Sequence, residues 1–326
     1  MAGIIAAQYQ NEDAAREHLE RLLWPDGPVC PHCGIIGEAY KLEGETTRKG
    51  LYKCAACRQP FTVTVKTIFE DSHIPLHKWL LAIHLMCSSK KGISAHQLWR
   101  NLWGVNEETG KVNGSYRTAW FMAHRIRWAL GQEPLLSRLA GIVEIDETYV
   151  GGKFRTGPMA VKPGERAKDR KASVANKAAV VSILQRDGQV RSKHVPRVTA
   201  DNLREMVAST VDETAHVMTD SSTVLKSVPM NQKHSQVNHF AKEYVRREDG
   251  VCISTNSVEG YFATLKRGIN GVYHHVGKNH LDQYLREFDY RHNIRRLDDD
   301  QRFRVAVQKT SGKRLTLRSP KAGKLG

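Results

Sequence analysis

Four of the six cysteines stand in two C-x2-C pairs, Cys30/Cys33 ("CPHC") and Cys54/Cys57 ("CAAC"), with twenty residues between the pairs. The module around them, residues 26–72, is too short to bury an independent apolar core, so it folds only if something staples it. Two knuckles at this spacing close a tetrahedron of thiolates, the arrangement of structural Zn2+, and in a reducing compartment metal rather than disulfide is the staple. A closed four-thiolate site offers no open position, which excludes hydrolysis there. Cys87 and Cys252 stand alone in apolar company (HLMCSS, GVCIST) and read as small buried hydrophobes.

The rest of the chain divides by periodicity. Residues 1–25 read as a short helical lead ending at Trp24-Pro25. Between 73 and 135 the pattern is helical: Leu76, Trp79/Leu80, Ile83 and Met86/Cys87 form one stripe, Ser94 to Leu102 a short helix, and 116–130 a long basic amphipathic helix. The last two have the sizes of a helix-turn-helix whose second helix would offer Arg117, Thr118, His124, Arg125 and Arg127 to a major groove. An amphipathic core helix with a solvated basic face accounts for the same pattern, and the linker 106–115 is longer than the usual turn. After Gly141 the period changes to that of strands, at 143–150, 177–184, 189–196 and 216–220, with a helix over 201–211. Three strands, a helix, a strand and then helices describe a mixed α/β core over 140–300. Residues 153–177 interrupt it with eight Lys/Arg against two acids, and 301–326 carry eight Lys/Arg and no acid; both read as solvated basic arms.

A net charge of +16 makes a polyanion, nucleic acid before membrane, the expected partner. The N-terminal twenty residues lack the basic start and apolar run of a signal peptide, and no segment approaches the roughly 20 apolar residues of a spanning helix, so the chain is expected in the cytoplasm.

Three carboxylates are placed for chemistry. On "VEIDETYV" the two-residue period sets Glu144 and Asp146 on one face, opposite Val143, Ile145 and Tyr149. Asp220 ends the apolar strand "HVMTD", where an open α/β sheet commonly forms its ligand site. In "STNSVEGYFATLKRG", 254–268, Val258, Phe262, Leu265 and, just beyond, Ile269 form a buried stripe, and Glu259 and Lys266 project together from its margin. Singly, each acid would more often be a turn or surface residue. Converging from two strands and a helix, the three make an oxygen cage suited to Mg2+ or Mn2+, and two such ions could drive an in-line phosphodiester displacement.

These residues, with "CPHCG", "CAACRQPFTVTVKTIFEDS", "EIDETYVGGK", "VMTDSS", "VNHFAKEYVRREDG" and "TNSVEGYFATLKRGINGVYHHVGKNHLDQYLREFDYRHNIR", resemble the IS1595 group of insertion-sequence transposases, DDE enzymes with an ISXO2-like domain, over roughly residues 18–296. The resemblance implies a ribonuclease H-like core, an N-terminal zinc ribbon and a helical DNA-binding region. It implies that Asp146, Asp220 and Glu259 hold two catalytic Mg2+ or Mn2+ ions and that Lys266 contacts transposon-end DNA. Some relatives carry Asn as the third catalytic residue, and Asn256 lies one turn before Glu259. Lys66 stands where the pattern has Gly before "TIF". The implied substrate is double-stranded DNA, inverted-repeat ends and target, in a bacterial cytoplasm at the nucleoid, with a homodimer or larger assembly pairing two ends. A domesticated DNA-binding protein with an inactive core, or a nuclease without strand transfer, is the competing expectation.

Overall fold

The computed structural model describes residues 3–131, 137–151, 177–221 and 231–313, which form two compact units. The basic insertion, apart from Lys177, and residues 314–326 of the basic tail lie outside the described residues.

The first unit takes residues up to Gly131 together with those from Ile294 on. Helix α1 (Glu12–Leu23) starts where the Asn11 side chain accepts from the Asp13 and Ala14 backbone N–H groups. A three-stranded antiparallel sheet follows, β1 (Ala39–Lys41), β2 (Tyr52–Cys54) and β3 (Pro60–Phe61). Its apolar content is Cys30, Cys54 and Phe61, with Trp24 and Tyr52 packed at the edge. Helices α2 (Leu76–Ser88), α3 (Ala95–Trp103) and α4 (Tyr116–Leu130) complete the region, and the expected stripe of α2, from Leu76 to Cys87, is buried. The long linker after α3 is a small hairpin closed by a Val105–Val112 bridge, with Asn106 Oδ1 accepting from the Thr109 N–H and hydroxyl at its tip.

Two expectations fail in this unit. Arg127, expected on the groove-facing side of the long helix, is 1% exposed, because it lies four residues from Ala123 and beside Ile126, within the stripe that buries α4. Residues 301–308 are not a solvated arm. They belong to a further helix, Asp299–Gln308, which opens on a capping box between Asp298 and Gln301. That helix buries Phe303, Ala306 and Val307, with the Phe303 ring edge-on to Tyr9 and stacked on His18 of α1.

The second unit ends at Asn293. Strands β4 (Ile142–Val150), β5 (Ala178–Gln185), β6 (Val190–Val195), β7 (His216–Asp220) and β8 (Lys233–Val237) form one sheet of order β6-β5-β4-β7-β8. Strand β5 runs antiparallel to its neighbours β4 and β6, and β7 and β8 are added parallel to β4. This is the mixed sheet flanked by helices that the sequence pattern called for. Strand β5, an interior strand, is covered on both faces: Ala179, Val181 and Ile183 pack on one face against Leu203, Met206 and Val207 of α5 (Ala200–Thr210), while Ala178, Val180 and Leu184 pack on the other. That second face is covered by α6 (Asn256–Gly268) and α7 (Leu281–Asn293) through Val258, Phe262, Leu265, Leu285 and Phe288. A two-residue Asp249-Gly250 turn, both residues at positive φ, joins β9 (Arg246–Glu248) to β10 (Val251–Ile253), which leads into α6. The C-terminal helix of the first unit is α8 (Asp299–Gln308).

Candidate functional site

In the ribbon, Cys30 Sγ lies 3.6 Å from Cys57 Sγ, and Cys33 Sγ 3.6 Å from Cys54 Sγ. All four sulfurs fall within 4.8 Å of one another. The edge of a tetrahedral Zn–S4 site with bonds of about 2.3 Å is about 3.8 Å, so the donor set and its spacing fit a structural Zn2+. Trp24 and Phe61 pack edge-on to each other beside the knuckles, at a centroid distance of 5.8 Å. Lys66, in the Gly position, has φ 56°, in the left-handed region that Gly tolerates best, and its Nζ donates to Pro31 O of the first knuckle at 2.5 Å.

The long helix presents Arg117 at its exposed first turn, with the guanidinium 5.5 Å from the Phe121 ring centre. Thr118 and His124 are partly buried, and Arg125 is half-buried over the Trp79 ring at 5.9 Å. Of the five groove-facing candidates, Arg117 alone is fully outside.

The acidic site is built where the parallel part of the sheet ends. Pairing of β4 with β7 stops at Ile145–Thr219. One residue later each strand carries its acid, Asp146 and Asp220, so both carboxylates leave the sheet at the same edge. Glu147 joins them, and carboxylate oxygens of all three lie within 4.8 Å of one another. Among the described residues this is the one all-carboxylate cluster with metal-ligand spacing. Asp146 Oδ1 accepts from the Glu147 N–H at 2.7 Å, and Glu147 Oε2 is buried with no hydrogen-bond partner. Burial pushes the Asp146 carboxyl up to about 7, and the negative charges of Asp220, Glu147 and Glu259 add to it. Glu147 is raised by burial and by Asp220. Such a crowd of oxygens, disfavoured in its charged form and holding an unsatisfied acceptor, has the chemistry of a divalent-cation site.

Glu259 and Lys266 project from the exposed side of α6, while Val258, Phe262, Leu265 and Ile269 are buried as the stripe required. Glu259 stands outside the 4.8 Å cluster. Its Oε1 accepts the Thr255 hydroxyl at 3.0 Å and lies 3.6 Å from His239 Nε2. Asn256 is exposed at the first turn of the same helix. Sequence reasoning passed over Glu147 and His239. The two-residue period assigns Glu147 to the face opposite Asp146, and only the end of β7 at that level lets both reach one point. His239 lies in the quoted "VNHF" run, which was its available signal.

The chain matches the ISXO2-like transposase domain over residues 138–293 and the transposase zinc-ribbon domain over residues 10–60. It is 26% identical over 295 residues to a protein in transposable element ISH50 of Halobacterium salinarum, covering 88% of this chain and 92% of the relative. A chain of the cryo-EM structure of the simian T-cell lymphotropic virus intasome in complex with PP2A regulatory subunit B56 gamma aligns over 60% of each chain at 13% identity, with a TM-score of 0.20, too loose a likeness to bear on the fold. The domain with the strand-end acids and the domain with the four thiolates are thus those of one family, in one order, and the chain belongs to the IS1595, ISXO2-like transposases.

Proposed function

We propose that this transposase binds the terminal inverted repeats of its insertion sequence, cuts at the element ends and joins the freed 3′-OH ends to target DNA. The observation that carries the reading is the meeting of Asp146 and Asp220 at the edge where β4 and β7 part, with Glu259 close enough for its charge to act on Asp146. Asp146, Asp220 and Glu259 would hold two Mg2+ or Mn2+ ions. When bound, such ions activate the attacking hydroxyl and take charge from the leaving oxygen of an in-line displacement.

The protein's own part is positional and electrostatic. Asp146 and Asp220 are fixed by the sheet, so their oxygens need little reorganisation to meet a cation and the scissile phosphate. Lys266, two turns along the exposed side of α6 from Glu259, is placed to pair with a backbone phosphate of the element end. Arg117 supplies end recognition from the start of α4, with Arg125 supporting that helix from its half-buried place over Trp79. The ribbon keeps its Zn2+ as a structural ion. Two ends must be paired for joining, so the working form is a homodimer or larger on DNA.

The test uses a labelled inverted-repeat duplex with Mg2+ or Mn2+, scoring cleavage and joining separately. Glu259→Gln should abolish both steps and keep end binding, Lys266→Ala should weaken end engagement without changing metal dependence, and Asn256→Ala should stay active. A dead Asn256→Ala beside an active Glu259→Gln moves the third position to Asn256. Cleavage without joining by the wild type makes the chain a nuclease.

A further inference from the structure

Helix α6 begins without a side-chain cap of its own. A Thr before a helix usually closes one of the free N–H groups with its hydroxyl, but Thr255 makes no such bond and donates to Glu259 instead. The free N–H groups go to a strand. Glu144 of β4, fully buried, accepts the backbone N–H groups of Ser257 and Val258 on Oε2 at 2.8 and 3.0 Å. Its other oxygen, Oε1, accepts Nε and Nη2 of Arg186 at 2.9 and 2.8 Å. Arg186 in turn donates Nη1 to Cys252 O at 2.8 Å and Nη2 to Ser254 O at 3.2 Å, along the segment that feeds α6.

A buried ion pair is an expensive way to fill a core, and apolar side chains of equal volume commonly hold a fold as well. What this pair adds is direction: it ties one point of β4 to two particular N–H groups of α6. Glu144 is two residues from Asp146 on the same face of β4, and the N–H groups it holds are those of the two residues before Glu259. Resting on the reading of Glu259 as the third acid, we propose that Glu144, anchored by Arg186, is a positioning residue that sets α6 against β4 so that Glu259 and Asp146 serve one cation. Thr255 is thereby released from capping and orients Glu259 directly. Glu144 does not touch the reacting atoms.

The test is Mn2+ affinity of the full zinc-loaded chain, read by electron paramagnetic resonance, alongside thermal unfolding, end binding and cleavage. Glu144→Gln keeps the shape but replaces one acceptor oxygen by a donor. It should weaken Mn2+ binding about ten-fold or more and lower cleavage in proportion, with end binding unchanged. In a Glu259→Gln background, adding Glu144→Gln should cause no further loss of Mn2+ affinity, because nothing remains to be positioned. Wild-type Mn2+ affinity in Glu144→Gln, whatever happens to the melting temperature, overturns the proposal, as does an additive loss in the double variant. Should Glu144→Gln fail to fold, Arg186→Lys decides: it keeps a cation beside Glu144 but loses the fork to Cys252 and Ser254, and unchanged Mn2+ affinity there also overturns the proposal. If Glu259→Gln alone binds Mn2+ like the wild type, the third-acid reading itself has failed and the positioning role with it, an outcome distinct from loss of the positioning role alone.

Discussion

The ribbon and the acidic site both gather cation ligands, by opposite means. Around Cys30, Cys33, Cys54 and Cys57 the buried apolar material amounts to little beyond Phe61 and the flanks of Trp24 and Tyr52, and two of the four sulfurs are themselves part of that core. Around Asp146 and Asp220 the sheet is closed on both faces by full apolar layers that use neither acid. In the first region the ligands make the fold, and in the second the fold makes the ligand site. Metal should therefore act on structure in one and on chemistry in the other.

The largest expected effect tests the ribbon's side of this contrast. Stripping Zn2+, or Cys57→Ser, removes a contribution on the order of 10 kcal/mol and should unfold residues 26–61, read as loss of their amide protection in hydrogen exchange, while the second unit keeps its own. Intact protection in the zinc-free ribbon would break the comparison.

Next comes the complementary variant. Asp146→Asn or Asp220→Asn should lower cleavage by about 10^3-fold or more with no loss of thermal stability, since an amide relieves crowded negative charge while the apolar layers stay. A fall in stability equal to that of Cys57→Ser would make the two sites alike.

A smaller effect follows from protonation. Asp146 holds its proton up to about pH 7 in the folded chain, against 3.8 for the free side chain. Between those values the folded state binds more protons than the unfolded one, so stability without added divalent cation should fall as pH rises from about 4 to about 7, by a few kcal/mol at most. Denaturant midpoints across that range would show the slope, and Asp146→Asn should flatten it.

The smallest concerns one backbone angle in the ribbon. Lys66→Gly should be more stable than Lys66→Ala by about 1 kcal/mol, because both lose the Nζ bond to Pro31 and only Gly is at ease at φ 56°. Thermal melts of the zinc-loaded variants measure it.

Legibility in the sequence followed the same division. Short-range patterns carried far: the two knuckles, the 116–130 helix, four of the five strands of the sheet and the buried stripe of α6 all rest on spacings within a single element, whereas the edge strand β8, "KHSQV", is too polar to show. What needed partners did not show. Arg127 reads as one more base on a basic helix until the apolar neighbours on its side are counted. The charge of residues 301–326 hid the Phe303, Ala306, Val307 stripe and the Asp298/Gln301 box, although both signals were present. Glu147 and the double role of Glu144 depend on where β7 stops and where α6 starts, which no periodicity within β4 encodes.

The helix at Asp299–Gln308 sets an order of events during synthesis. The first unit is written mostly in the first 131 residues, yet Tyr9 and His18 find the Phe303 ring only after the whole second unit has left the ribosome. A nascent chain therefore carries its first unit unfinished for as long as the second is still being made, and a message cut short before codon 299 yields a protein lacking all of α8 and, with Phe303, part of its first core.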